Sequence, residues 1–286
     1  MADPIFSPAV PEFITVDGLR IRFIRTDGEG TPILLTAPWP QSIYAFHGIW
    51  SEITPLGPVI ALDLPGFGRS EGRPDLMSPQ AMGDFLVRFA RALSLQRVHA
   101  VGPDVGTSAL LFAAHSAPDL FESITIGSGG ARMDLVGAGL RGVIEAAPGS
   151  FGEEDGGPQV VATITRNARH LPPKEAMEDF RASSAGRRWI EAAEYVRAYP
   201  RGLARLGELL PSIEAPVLVI SGRDDPIVPP SNGDYLAEFL PAAVNVIVAA
   251  GHYVWEDAPE EYAALIRDWV QGGHRDPGRF PAKRKV

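Results

Sequence analysis

The chain has 286 residues, of which 45% are hydrophobic and 21% charged, with a formal net charge of −9 and no cysteine. This is a globular balance large enough for one sizeable core. The negative charge points away from a nucleic-acid partner, and the lack of cysteine rules out disulfides, thiolate nucleophiles and cysteine-held metals.

The opening MADPIFSPAV lacks the basic-then-apolar pattern of a secretory signal, and no apolar run approaches the ~18 residues of a membrane span. A cytoplasmic protein without membrane insertion is therefore expected. Residues 13–16 and 19–25 alternate around Asp17-Gly18, which predicts a hairpin. Then come apolar runs that do not alternate, at 32–37, 58–63, 97–102, 123–128, 216–221 and 244–249. Continuous apolar strands are buried on both faces, as in parallel sheets. Patterns with a helical period separate most of them, at 78–95, 107–117 and 259–270. The class is α/β with a mostly parallel sheet flanked by helices.

From Ala131 to Ser212 no strong strand pattern occurs, and Arg187–Pro200 is the clearest of several helical stretches. A structureless loop of that length is unusual in a compact domain, so a helical lid over residues 131–212 is expected. The core then comprises 1–130 and 213–273. Residues 274–286 carry Arg275, Arg279, Lys283, Arg284 and Lys285 against Asp276, with two prolines, and read as a loose basic tail.

Three polar residues stand at strand ends. Asp104 lies within Gly102-Pro103-Asp104-Val105-Gly106, between a strand and a helix. Such a turn thrusts its apex side chain above the carboxyl ends of the strands, where open α/β sheets bind ligands. The competing reading makes Asp104 a helix N-cap. Asp225 follows the run 216–221, with Asp224 beside it and Pro226 after it; the competing reading is an Asx turn. His252 follows the run 244–249, and alone it reads as a loop histidine. Together the three stand in the chain order nucleophile, acid, base.

With those residues in place, the chain resembles the α/β-hydrolase superfamily from about Phe13 to Val270. Asp63-Leu64-Pro65-Gly66-Phe67-Gly68-Arg69-Ser70 is similar to that superfamily's loop after the fourth strand. An aspartate at the apex resembles the branch of epoxide hydrolases and haloalkane or haloacetate dehalogenases. The resemblance implies an α/β-hydrolase fold with the lid after the sixth strand, and Asp225 rather than Asp224 as the acid. It implies an oxyanion hole from the N–H groups of Trp39 and Val105. Pro38 has no N–H to give. Ala37-Pro38 replaces the usual His-Gly, Pro103 the usual His or Gln, and Thr107 the usual Gly or Ala.

The apex residue narrows the chemistry. A carboxylate attacking an ester would give an anhydride, whereas displacement at saturated carbon gives an alkyl ester. His252, oriented by Asp225, would then activate water against that ester. No cofactor or metal is expected, and the substrate is a small apolar organic molecule; a homodimer is neither required nor excluded. An epoxide oxygen needs a proton, and Tyr195 and Tyr199, at i and i+4 on one predicted lid helix, share a face. Trp189 and Tyr253, and Trp255 nearby, line the pocket or simply fill core. Dehalogenases resembling this chain place Trp or Arg where Val105 stands, which favours epoxide hydrolysis to a vicinal diol. A dehalogenase with the same three residues, and a biosynthetic or non-hydrolytic member of the fold, are the alternatives.

Overall fold

The computed structural model describes Phe6, residues 9–147, Ser150 and residues 155–280. Eight strands form one sheet: β1 (Glu12–Val16), β2 (Leu19–Arg25), β3 (Ile33–Thr36), β4 (Val59–Leu62), β5 (Val98–Pro103), β6 (Phe121–Gly127), β7 (Val217–Gly222) and β8 (Ala243–Val248). Their order is β1-β2-β4-β3-β5-β6-β7-β8. β1 and β2 run antiparallel, as do β2 and β4, and every other neighbouring pair is parallel. The hairpin between β1 and β2 turns at Asp17 and Gly18, both with positive φ, as a two-residue turn matched to strand twist requires.

The apolar runs become strands because both of their faces are covered. Leu34, Ile60, Leu62, Ala100 and Val219 pack into one buried cluster. Their chain neighbours Ile33, Leu35, Ala61, Val101 and Ile220 pack into another. That alternation of faces is the two-residue period of a strand.

The helices outside the insertion are α1 (Trp50–Ile53), α2 (Pro79–Ala92), α3 (Val105–Ser116), α9 (Ser231–Phe239), α10 (Val254–Asp257) and α11 (Pro259–Val270). Ser78 caps α2 by accepting from the Ala81 N–H. Between β6 and β7 fall α4 (Ala138–Glu145), α5 (Gly156–Asn167), α6 (Lys174–Ser183), α7 (Arg188–Arg197) and α8 (Tyr199–Leu209). Residues 131–212 thus hold a helical insertion, and a charge cluster ties it to the sheet. Arg22 on β2 donates from Nε to Asp63 (2.6 Å), and from both Nη atoms to Asp179 on α6 (2.8 and 2.7 Å).

The expected loose tail needs correction in its described part. His274 is buried and bonds the Trp269 carbonyl at 2.8 Å, and the Phe280 ring packs edge-on against Trp269. Burial of that aromatic surface holds the segment down. Lys283, Arg284 and Lys285 lie outside the described residues. No helix among the described residues is long and apolar enough to cross a membrane.

Candidate active site

Asp104 sits between the end of β5 and the start of α3 with φ 55° and ψ −120°, a backbone conformation rare for a residue with a side chain. Close packing imposes it. A Cβ at Gly106 would come within 2.2 Å of Thr36 Oγ1, and one at Gly102 within 2.4 Å of the Leu110 side chain. The two glycines let β5, α3 and β3 approach this closely, and the turn between them has no room to relax. Asp104 occupies the N-cap position of α3, yet its side chain makes no capping bond. Its Oδ2 instead accepts the Trp39 N–H at 2.8 Å.

The other two loops converge on it. His252 Nδ1 lies 2.8 Å from Asp225 Oδ2, and His252 Nε2 lies 3.8 Å from Asp104 Oδ1. Asp225 Oδ1 accepts the N–H groups of Ile227 (2.8 Å) and Val228 (2.9 Å). The Asx turn and the acid role are therefore compatible, one per oxygen. Asp224 points outward, more than half exposed, and pairs with Arg169. Asp104, Asp225 and His252 are all at least nine-tenths buried.

Burial sets the electrostatics. Desolvation pushes the Asp104 carboxyl up to about 6, against the opposing pull of His252 and of the Val105 and Trp39 N–H groups. For His252 burial acts downward, but the charge and hydrogen bond of Asp225, reinforced by Asp104, win and raise it above the ordinary imidazole value. Burial raises the Tyr195, Tyr199 and Tyr253 phenols, and the Asp104 charge adds to the rise of each, so all three side chains feel the carboxylate.

The insertion supplies aromatic side chains. Trp189 on α7 meets the Trp39 ring at 5.5 Å. The Trp39 indole N–H is buried with no hydrogen-bond partner among the described residues. The Tyr253 and His252 rings are 5.1 Å apart. Tyr195 and Tyr199 do not share one helix as expected: α7 ends at Arg197 and α8 begins at Tyr199. Their rings still meet edge-on at 5.8 Å. The Tyr195 hydroxyl donates to the Val105 carbonyl at 2.9 Å and lies 2.9 Å from Ser108 Oγ.

Sequence reasoning missed the supports of the Trp39 loop. Gln41 donates to Glu256 (3.0 Å) and accepts from the Trp255 indole (2.8 Å). His47 Nε2 lies 2.7 Å from the other Glu256 carboxylate oxygen. Ser42 donates to Asp179 at 2.6 Å. The only local signal was a run of polar residues directly after Pro40. Among the described residues no group of three or more His, Asp or Glu is arranged to hold a metal ion.

Residues 32–259 match the family model of the alpha/beta hydrolase fold, and the chain belongs to that family. It is similar to the pimeloyl-[acyl-carrier protein] methyl ester esterase of Neisseria meningitidis serogroup C, at 27% identity over 84% of this chain and 93% of the relative. It is also similar to the soluble epoxide hydrolase of a Corynebacterium species, at 30% identity over 39% of this chain and 38% of the relative. The crystal structure of a haloalkane dehalogenase from Bradyrhizobium elkani superposes with a TM-score of 0.76 at 21% identity, covering 92% of this chain and 98% of that one.

Proposed function

We propose that this hydrolase opens an epoxide to a vicinal diol through an alkyl ester on Asp104. The observation that carries the reading is the division of labour between the two carboxylate oxygens. Oδ2 is held by a main-chain N–H, while Oδ1 faces His252. An oxygen so held is placed to become the carbonyl oxygen of an ester, and the other is the one to attack.

In the first step Oδ1 forms a bond to an epoxide carbon and the ring C–O bond breaks. The leaving oxygen takes a proton from Tyr195 or Tyr199, leaving a tyrosinate. In the second step His252 Nε2 takes a proton from water, and the hydroxide adds to the Asp104 carbonyl carbon. Charge develops on Oδ2 against the N–H groups of Trp39 and Val105. Collapse expels the diol oxygen, which takes the proton from His252. The proton left on the new carboxyl returns to the tyrosinate.

An esterase reading is less well supported, since a carboxylate attacking an ester would give an anhydride. Dehalogenation is the second reading, and the buried unpartnered Trp39 indole N–H favours it, because a leaving halide needs N–H donors. Intact mass separates the two after His252→Gln protein meets a panel of epoxides and haloalkanes. An adduct of the full epoxide mass, absent in Asp104→Asn, is the expected result. An adduct of the haloalkane minus its halide would replace the epoxide reading with the dehalogenase one. No adduct from either panel would overturn both.

A further inference from the structure

Thr107, where relatives of this chain were expected to carry Gly or Ala, is fully buried on the first turn of α3. Its hydroxyl does not merely fill space. Oγ1 accepts the Gly127 N–H at 3.1 Å, and lies 3.1 Å from the Gly127 carbonyl and 3.3 Å from the Gly102 carbonyl. A hydroxyl has one proton and two lone pairs, so it serves the N–H and either carbonyl together. The Gly127 carbonyl also accepts the Asp104 N–H at 2.8 Å, and the Thr107 N–H donates to the Asp104 carbonyl at 3.0 Å. One hydroxyl thereby joins the end of β5, the end of β6 and the first turn of α3, with Asp104 suspended among them.

The partners are shaped to that hydroxyl. Gly127 has φ +151°, and a Cβ there would lie 1.8 Å from the Ile220 carbonyl oxygen. That glycine lets β6 lie close against β7, and Gly129 leaves room for the Thr107 hydroxyl, since a Cβ at 129 would lie 2.4 Å from Thr107 Oγ1 and from the Asp104 carbonyl oxygen. Asp104 itself holds an unfavourable φ that persists only if its surroundings over-determine it.

We infer that Thr107 is a positioning residue for the nucleophile: its hydroxyl pins the end of β6 to the turn, so that Asp104 keeps its strained backbone and its carboxylate stays on the Trp39 N–H. This rests on the reading of Asp104 as nucleophile, but its first test needs no substrate. The Trp39 N–H, 2.8 Å from Oδ2, favours the charged carboxylate, so letting the carboxylate drift from it raises the titration midpoint of Asp104.

Thr107→Val keeps the shape and removes the hydroxyl, and Thr107→Ser keeps the hydroxyl. Carbon-13 NMR of labelled aspartate, with the Asp104 carboxyl assigned by its loss in Asp104→Asn, reads the midpoint in each protein. The expected result is an upward shift of more than about half a pH unit in Thr107→Val and none in Thr107→Ser. If Thr107→Val does not fold, Thr107→Ala carries the same expectation. A hydroxyl-free variant that titrates with the wild type overturns the inference, whatever its melting temperature. The second readout is the rate of ester formation in the His252→Gln background, expected to fall about tenfold in Thr107→Val and to recover in Thr107→Ser. A wild-type chain that forms no ester with any epoxide, beside a shifted Thr107→Val midpoint, overturns the epoxide reading and upholds the role of Thr107.

Discussion

His252 Nε2 stands 3.8 Å from Asp104 Oδ1, too far for a hydrogen bond and near enough for each charge to feel the other. In the proposed mechanism both groups must be deprotonated to act, so both favour higher pH. Asp104 must be ionised to attack, and its value is pushed up to about 6. Below that value the neutral acid dominates, so ester formation falls about tenfold per pH unit as pH drops. His252 must be neutral to accept a proton from water, and Asp225 and Asp104 raise its value, so ester hydrolysis also weakens as pH falls through that raised value. Alkylation of Asp104 erases one of the charges that raise it, so His252 sheds its proton more easily in the intermediate than in the free enzyme. Stopped-flow measurement of the two steps should show the hydrolysis limb lying lower than direct titration of free His252. A hydrolysis limb at or above the free value would contradict the coupling.

Asp225 and Asp224 are neighbours with opposite fates. Asp225 orients the imidazole through Nδ1, whereas Asp224 is exposed and paired with Arg169. Asp225→Asn should leave ester formation largely intact and slow ester hydrolysis by about 10³–10⁴-fold, because the wrong tautomer is favoured. Asp224→Asn should stay within about twofold of the wild type, as an exposed pair contributes little. Single-turnover mass spectrometry reads both, and an equal loss in the two variants would contradict the assignment of the acid.

The two tyrosines of the helical insertion differ in what they already hold. Tyr195 donates to the Val105 carbonyl, so its hydroxyl also braces the main chain beside the nucleophile. Tyr199 packs its ring edge-on against Tyr195 and has the Ser108 hydroxyl within hydrogen-bonding reach. The Tyr→Phe variant at whichever position protonates the leaving oxygen should slow ester formation by about 10²-fold or more and leave hydrolysis of a preformed ester unchanged. Tyr195→Phe should in addition lower stability by about 1 kcal/mol, since it removes the hydroxyl's bonds to the Val105 carbonyl and to Ser108. Thermal melts beside burst kinetics check this, and unchanged burst rates in both variants would remove the tyrosines from the chemistry.

How much of this was legible in the sequence depended on range. The buried strands carried their own signal, because both-face burial leaves an uninterrupted apolar run, and the three polar residues stood directly after such runs. In the loop that presents the Trp39 N–H to Asp104, Pro38 was a visible mark, since it has no N–H of its own to give. The helical insertion was harder. Pro200 reads as the end of a helix at Tyr199, but proline is equally at home in the first turn of a new helix, and α8 starts there. The tail misled because Pro277 and Pro281 signal an irregular chain, while Phe280 and His274 supply the anchors. Arg22 and Asp179 are 157 residues apart, and no local pattern announces a pair that only the folded chain brings together.

That pair carries the last prediction. Arg22 is nearly buried, and its guanidinium is shared between Asp63 and Asp179. Burial presses Asp179 upward, but Arg22, Ser42 and Arg69 together hold it below the ordinary carboxylate value. Removing one member of a buried pair leaves the other uncompensated, at a loss of about 3–5 kcal/mol. Asp179→Ala should therefore destabilise the protein by that amount in urea unfolding. Arg22→Met should cost at least as much, because it strands two carboxylates. The double variant should fall short of the sum by about 0.5–3 kcal/mol, the range for residues in direct contact. Turnover should fall as well, since Ser42 bonds Asp179 and lies on the loop that presents the Trp39 N–H to Asp104. Additive losses of stability, with full activity in Asp179→Ala, would show that the clamp and the loop act independently.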